Sequence, residues 1–222
     1  MKRARHVLRS GYDQIAGTNT GRLEAVSDGV FAIALTLLVL DIRVPALAGI
    51  HTDAALWMAL AGLAPRFLSY FLSFMTLGLF WTGHATQYAY IERSDRHLTW
   101  INLFLLMFVA LLPFSAAFLS EYIDLRLAIL VFWANVMAMA VCLLAHWEYA
   151  VRHDLLSIRG DEREAAVKAM RRRLRSVLLL YAIGAALCVV STYLSIVAIV
   201  LVQLNFALAP TTWRIFRRQA AS

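Results

Sequence analysis

Six apolar runs alternate with polar connections along the chain. A helix needs about 20 residues to cross a hydrocarbon core of about 30 Å. We therefore expect an all-α integral membrane protein, with six transmembrane helices in a single domain that covers residues 1–222. The segment 174–210 is too long for one crossing, and its link "STYLS" divides it, although the weakness of this turn leaves five helices as an alternative. The predicted spans are roughly 23–42, 66–84, 99–119, 126–149, 174–191 and 194–210.

The composition agrees with this pattern. The chain is 61% hydrophobic and 16% charged, whereas soluble domains are about half apolar and a quarter charged. Cys142 and Cys188 lie in the middle of apolar runs, so neither a disulfide framework nor a metal site is indicated. No nucleophile–base set, phosphate loop or catalytic carboxylate pair stands out. We expect no enzyme activity, no catalytic residues and no cofactor.

The net charge of +7 reflects topology rather than nucleic-acid binding. Of the 21 Lys and Arg residues, all but Arg43, Arg66 and Arg126 lie in the two terminal arms and in the second and fourth connections. Positively charged segments stay on the cytoplasmic side of a membrane. This asymmetry predicts that both termini are cytoplasmic, which requires an even number of spans.

Two connections contain further helical sequence. The apolar stretch "DAALWMALAGLAP" in the first connection predicts either a short interfacial helix or an extension of the second span. The segment 152–175 mixes charges at helical spacing and predicts a cytoplasmic extension of the fifth helix. Its basic cluster could contact anionic lipid headgroups, but a solvated role is favoured.

Asp28 interrupts the first apolar run. A carboxylate inside a span costs about 2.5–3.5 kcal/mol on insertion scales and is usually functional. At 1.5 Å per residue, Asp28 lies roughly 9 Å past Arg22, in the inner leaflet. Trp81, His84 and Asn102 are predicted at the same depth and carry suitable hydrogen-bond donors. We expect a buried polar cluster that ties the first helix to its neighbours, with a headgroup-level carboxylate stabilised by the helix dipole as the alternative.

The same helix carries an apolar stripe. Ile33, Leu37 and Leu40 stand at i, i+4 and i+7 on one face, and Asp28 points about 140° away from Ile33. Alone, such a stripe indicates lipid contact or packing. Asp41 follows at the outer end of the run. It suits an ordinary interfacial position, but several copies around an axis would concentrate cations at a pore mouth.

The stretch "RLEAVSDGVFAIALTLLVLDI" resembles the first-helix signature of the transmembrane protein 175 family of potassium-permeable channels. Arg22, Ser27 and Asp28 match the Arg-x-x-x-Phe-Ser-Asp pattern, and Val26 stands at the Phe position. The segments "FWTGH" and "WINLFLLMFVALLPFS" are similar to the second and third helices of the family. The resemblance covers most of the chain.

The resemblance implies a homotetramer whose central pore is lined by the first helix of each copy. Ile33 would form the narrowest ring, Leu37 and Leu40 further rings, and Thr36 would lie beside the pore. Asp41 would attract cations at the outer entrance. A polar network behind the pore helix would contain Arg22, Ser27, Asp28, Trp81, His84 and Asn102.

The implied function is a leak-type, potassium-preferring cation channel in a bacterial plasma membrane. K⁺ would be the permeant ion, the lipid bilayer and three further copies the partners, and no cofactor would be needed. Two alternatives stay open at this point. One is a proton-coupled secondary transporter with Asp28 and His84 as a relay, and the other is a membrane scaffold without transport.

Overall fold

A computed structural model describes residues 20–44 and 51–208, with side chains up to residue 204. All of the regular secondary structure in these ranges is helical, apart from one isolated bridge between Ile91 and Leu156. The helices are α1 (Thr20–Leu37), α2 (Asp53–Ala61), α3 (Ala64–Tyr88), α4 (Arg96–Glu121), α5 (Arg126–Arg152), α6 (Gly160–Leu187) and α7 (Thr192–Leu208).

The first predicted span corresponds to α1 and a 3₁₀ turn, Leu38–Asp41, that continues it. This helix packs against α3 and α4. Its buried residues follow a spacing of four, three and four residues, which places them on one side of a helix. They are Ser27, Phe31, Ala34 and Leu38.

The first connection forms a separate short helix, α2. The Thr52 side chain caps it by accepting a hydrogen bond from the Ala55 amide at 3.2 Å. Pro65 stands in the first turn of α3, where its missing N–H removes no helical bond. The axes of α2 and α3 differ by 46°. Of the two predictions for this segment, the structure supports a distinct helix.

Among the described residues, three helices are long and apolar enough to cross a membrane, namely α1 with its 3₁₀ turn, α4 and α5, and the bent pair α2–α3 gives a fourth if it is counted as one span. The all-α membrane fold is confirmed. The crossings by α6 and α7 and the single domain over 1–222 stay predictions. Residues 1–19, 45–50 and 209–222 lie outside the described part.

The predicted helical extension of the fifth span is confirmed from Gly160 onward, because α6 begins there and runs without a break to Leu187. The rest of the predicted segment, 153–159, is a connection between α5 and α6. The predicted boundary between the last two spans was wrong by several residues. The helix ends before the turn at 188–191, and "STYLS" mostly belongs to α7. The backbone turns where Cys188, Val189 and Val190 bond to carbonyls three residues earlier, a tightening typical of helix ends.

Aromatic packing joins α5, α6 and α7. The rings of Trp133 and Tyr181 meet edge to face with centroids 5.6 Å apart. The Trp133 indole N–H donates to Ser195 Oγ at 2.8 Å, and that hydroxyl donates to the Gly184 carbonyl at 2.7 Å. A Cβ at Gly184 would lie 2.6 Å from the Trp133 ring. Only glycine therefore lets α6 approach α5 this closely. We call these four residues the aromatic junction.

Candidate functional site

The two faces of α1 differ sharply in the isolated chain. The face with Phe31 and Ala34 is buried against α3 and α4. On the opposite face, Ile33 is 61% exposed, Leu37 43% and Leu40 66%. The three residues predicted to form pore rings therefore lie together on a surface that no other part of the described chain covers.

A row of small residues runs beside this apolar stripe, and the sequence analysis missed it. Ala25 and Gly29, and then Ala32 and Thr36, are spaced four residues apart and all are exposed. Nothing in the described structure lies within 4 Å of a Cβ placed on Gly29. The Thr36 hydroxyl donates to the Ile33 carbonyl at 2.8 Å. Small residues at this spacing let membrane helices approach closely, so the spacing itself was the missed signal.

Behind α1, a chain of hydrogen bonds connects three helices. The Asn102 amide on α4 donates to Ser27 Oγ at 3.0 Å, and the Ser27 hydroxyl donates to the Leu23 carbonyl at 2.8 Å. The Asn102 oxygen lies 2.9 Å from His84 Nε2 on α3. Because this oxygen can only accept, His84 Nε2 carries the proton. Ser27, His84 and Asn102 are buried. We call these three residues the serine–asparagine–histidine chain.

Asp28 is held separately from that chain. The Trp81 indole N–H donates to Asp28 Oδ1 at 2.9 Å. The expectation of a buried carboxylate is corrected, because Asp28 is exposed in the protomer and Trp81 is 42% exposed. The reason is helical geometry, which turns Asp28 by about 100° from the buried Ser27. Arg22 lies in the first turn of α1, on the exposed side.

The polar network extends deeper into the bundle than the sequence indicated. The Gln87 side-chain amide donates to the Leu143 carbonyl at 3.0 Å, and its oxygen accepts from His146 Nδ1 at 2.8 Å. The Tyr88 ring packs against both imidazoles, with centroids 4.7 Å from His84 and 5.3 Å from His146, and the two imidazoles lie 6.0 Å from each other. Sequence reasoning missed Gln87 and Tyr88, because a polar residue near a span end gives no sign of the direction it faces.

Three buried polar atoms of this cluster have no hydrogen-bond partner within residues 20–44 and 51–204. They are His84 Nδ1, the Tyr88 hydroxyl and His146 Nε2. The described residues contain no group of three or more His, Cys, Asp or Glu side chains arranged to hold a metal ion. The cluster therefore fixes helix positions and offers no assembled metal centre.

Asp41 is tied to the bundle. The Ser120 hydroxyl on α4 donates to Asp41 Oδ2 at 2.6 Å, and Asp41 is half-buried. Ser120 was not expected from the sequence. The Asp41 carboxylate thus stands at the end of the 3₁₀ turn that continues α1, with one oxygen engaged, near the end of the exposed stripe that Leu40 completes.

Together these contacts define what the site can do. Hydrogen bonds from α3 and α4 fix the rotation of α1 about its axis. That rotation presents a face of apolar and small side chains outward, with a carboxylate at its end. Such a face suits a helix that meets other copies of itself, or one that faces lipid.

Comparisons with known proteins identify relatives of the chain. A family profile described as "Endosomal/lysosomal potassium channel TMEM175" matches residues 22–113. A potassium channel of Streptomyces collinus is 38% identical over 185 residues, which cover 81% of this chain and 87% of that protein. The human endosomal/lysosomal proton channel TMEM175 is 34% identical over 142 residues, covering 60% of this chain and 28% of the human one.

A solved structure has the same fold. The crystal structure of a lysosomal potassium-selective channel TMEM175 homologue from Chamaesiphon minutus superposes with a TM-score of 0.76 at 33% identity. The match covers 86% of this chain and 98% of that one. The profile match contains most of α1, all of α2 and α3, and most of α4, and it therefore includes the serine–asparagine–histidine chain and the Asp28–Trp81 pair.

Proposed function

The chain belongs to the TMEM175 family of ion channels, and on that premise we propose that it is a potassium-preferring cation channel whose pore is lined by α1 from four copies. The observation that carries the proposal is the outward face of α1, where Ile33, Leu37 and Leu40 are exposed while the opposite face is packed. K⁺ is the permeant ion and no cofactor takes part.

The small residues beside the stripe support assembly through α1. Gly29 and Ala32 have open space around them, and close helix contact in a membrane requires such residues because the backbones must approach each other. A helix that only faced lipid would gain nothing from this row. We therefore place the α1 helices of neighbouring copies in contact beside the axis, with Thr36 next to the pore.

The apolar rings act on ions through hydration. A narrow ring of branched side chains at Ile33 expels water, and an ion passes it only by losing part of its hydration shell. Leu37 and Leu40 extend this barrier towards the outside. K⁺ loses water more readily than Na⁺, so a barrier of this kind favours K⁺. At the outer end, four Asp41 carboxylates raise the local cation concentration.

The hydrogen bonds behind α1 maintain this geometry. The serine–asparagine–histidine chain and the Asp28–Trp81 bond attach α1 to α4 and α3 on the side away from Ile33. They fix which residues face the axis, and they take no part in conduction. Arg22 belongs to the same end of the helix and, by the family signature, to the same support.

The test is K⁺ flux from liposomes that contain the purified chain. Replacing Ile33 with Asn adds a hydrogen-bonding group to the ring, so flux should rise and discrimination between K⁺ and Na⁺ should fall. The control is Leu179→Asn on α6, because Leu179 is equally exposed at 63% but lies on another helix. Equal flux and selectivity in the wild type and Ile33→Asn would refute the assigned constriction.

An alternative is proton-coupled transport, which the name of the human relative brings into consideration. A relay would need Asp28 and His84 to exchange protons. Asp28 bonds to Trp81, however, and His84 bonds to Asn102, and no hydrogen bond among the described residues joins these two groups. K⁺ flux and internal pH, recorded together under a K⁺ gradient at equal starting pH, distinguish the two. A channel moves K⁺ without protons, a coupled transporter moves protons in fixed proportion to K⁺, and a scaffold gives no K⁺ flux.

The proposed location is the plasma membrane of a bacterium, with both termini cytoplasmic. The basic first half of α6 supports this sidedness, since Lys and Arg residues cluster there and not at the end of α4 or the start of α5. A cysteine introduced at Ser157 should react with an impermeant maleimide only after lysis of spheroplasts, and one at Thr52 should react before lysis. The reverse pattern would invert the topology.

A further inference from the structure

The change from α-helix to 3₁₀ turn at the end of α1 decides where Asp41 lies. In a continued α-helix, Asp41 would stand four residues after Leu37 and about 40° from it, on the exposed stripe. In a 3₁₀ helix, which has three residues per turn, side chains three apart stand above each other. The turn therefore places Asp41 above Leu38, which is 3% exposed, and Asp41 itself is half-buried. Its carboxylate is turned away from the stripe and towards the bundle.

Ser120 on α4 holds the carboxylate on this side. Its Oγ lies 2.6 Å from Asp41 Oδ2 and 2.8 Å from the Ala117 carbonyl oxygen. Both of these oxygens only accept, and the hydroxyl has one proton to donate. A charged acceptor forms the stronger bond, so the proton is directed chiefly to Asp41. Ser120 is 6% exposed, and water therefore competes little for this bond.

The Ser120 hydroxyl positions Asp41 without neutralising its charge. Within residues 20–44 and 51–204, no Lys or Arg side chain lies within salt-bridge distance of the Asp41 carboxylate. The neighbouring acid differs, because Glu121 pairs with Arg66 at 3.1 Å. A serine thus gives direction to a carboxylate whose negative charge remains available to cations.

We propose that Ser120 is a positioning residue for the ion path, which keeps the Asp41 carboxylate beside the pore mouth and out of the pore axis. This inference rests on the proposed function, in which the stripe with Leu37 faces that axis. Held against α4, four carboxylates attract cations to the mouth from a distance. Released from Ser120, they would be free to turn towards the axis and form a ring of oxygen ligands, which suits divalent cations such as Ca²⁺. Ser120 therefore keeps the mouth attractive to K⁺ and weak in Ca²⁺ binding.

The test measures the block of K⁺ flux by Ca²⁺, added to both sides of liposomes that contain the full chain. Ser120→Ala should lower the Ca²⁺ concentration for half-block about fivefold, because moving one carboxylate from about 8 Å to about 4 Å from a divalent ion in water strengthens binding by that factor. Flux without Ca²⁺ should change little. Ser120→Thr keeps the hydroxyl and should behave as the wild type. Adding Asp41→Asn to Ser120→Ala should abolish the increased sensitivity.

Ser115→Ala is the matched control. It removes a buried hydroxyl from the same helix, but that hydroxyl bonds to the Leu112 carbonyl and to Asn135. Its Ca²⁺ sensitivity should equal that of the wild type. If Ser120→Ala does not assemble, Ser120→Cys, which has a weaker donor of similar size, takes its place.

Unfolding in detergent tests the contact without flux. Ser120→Ala should cost less unfolding free energy in an Asp41→Ala background than in the wild type, since the two residues share one hydrogen bond. Equal costs in both backgrounds would overturn the proposal.

The flux results can overturn it as well. Unchanged Ca²⁺ sensitivity in Ser120→Ala, or an equal change in Ser115→Ala, would give Ser120 a structural role only. Increased sensitivity that persists after Asp41→Asn would assign the Ca²⁺ site to other groups. If the wild type carried no K⁺ flux, the channel proposal would fail instead, and the unfolding comparison would still decide whether Ser120 holds Asp41.

Discussion

Two regions hold the bundle together by different means. At the α1 side, the serine–asparagine–histidine chain joins three helices through hydrogen bonds between small polar groups. At the aromatic junction, α5, α6 and α7 are joined by large rings packed against the bare backbone of Gly184. The first contact leaves one face of its helix uncovered, whereas the second is largely enclosed.

The difference teaches how a membrane protein fixes a helix that must keep a free face. Between apolar helices, lipid competes well with packing, so apolar contact alone distinguishes poorly between rotations of α1. Hydrogen bonds are directional and costly to leave unmade in a medium of low polarity. A few hydrogen bonds therefore set the rotation of α1 about its axis. The position of α6 is instead set by the close fit of the Trp133 ring against Gly184.

The largest effect is expected at the aromatic junction. Gly184→Ala forces a Cβ to within 2.6 Å of the Trp133 ring, and overpacking of this kind costs about 1–3 kcal/mol. Thermal unfolding in detergent, followed by size-exclusion chromatography, should show a marked loss of stability. Gly78→Ala is the control, because nothing lies near its Cβ. If the two variants behaved alike, the junction would not be close-packed.

Asn102→Leu should have the next largest effect. It leaves the His84 N–H without its acceptor and Ser27 Oγ without its donor, at a cost of about 1–3 kcal/mol. Ser27→Ala should then cost less in the Asn102→Leu background than in the wild type, since the two residues share one hydrogen bond. If the losses of unfolding free energy from Ser27→Ala and Asn102→Leu simply added, the serine–asparagine–histidine chain would not act as a unit.

A smaller effect on stability is expected from Asp28→Ala, because its bond to Trp81 is exposed in the protomer. Loss of this bond should loosen α1 by about 1 kcal/mol and should reduce assembly more than permeation. The mass of the purified complex and K⁺ flux measure the two quantities. Trp81→Phe removes the same donor and should reproduce the defect. An intact, normally conducting tetramer with Asp28→Ala would contradict this role.

The smallest effects concern two ion pairs. Glu148 accepts two hydrogen bonds from Arg171 and ties α5 to α6, so Glu148→Gln should cost up to about 1 kcal/mol. Glu121 pairs with Arg66 through one bond of 3.1 Å and is well exposed, and Glu121→Gln should leave the melting temperature unchanged. A larger loss for Glu121→Gln would mean that the α3–α4 pair is more protected than its exposure indicates.

Much of this fold can be predicted from the sequence, because apolar runs long enough to cross a bilayer have few other structures available. The predicted runs of α1, α4 and α5 agree with the structure to within a few residues. The predicted break between α6 and α7 was misplaced, since residues 188–191 are almost as apolar as the helices beside them. The 46° bend before α3 could not be derived either, because Gly62 and Pro65 permit a bend without setting its angle.

The sequence predicts at which depth along the helices the site residues lie, but it does not predict which way their side chains face. Trp81, His84 and Asn102 are predicted at the level of Asp28, and the structure brings them to Ser27 and Asp28 in two separate groups. In a helix that is apolar on every side, the pattern of apolar and polar positions does not indicate which way a residue faces. For the same reason the sequence did not reveal that Ser120 bonds to Asp41 or that Gln87 bonds to His146.

The unbroken course of α6 has a mechanical consequence. Its 28 residues form a rod of about 42 Å, with the charged first half and the aromatic junction on the same element. Since a helix without an internal proline resists bending, a displacement of its charged end must appear as a tilt at Tyr181 and Gly184. A movement of the charged first half of α6 is therefore transmitted directly to the aromatic junction.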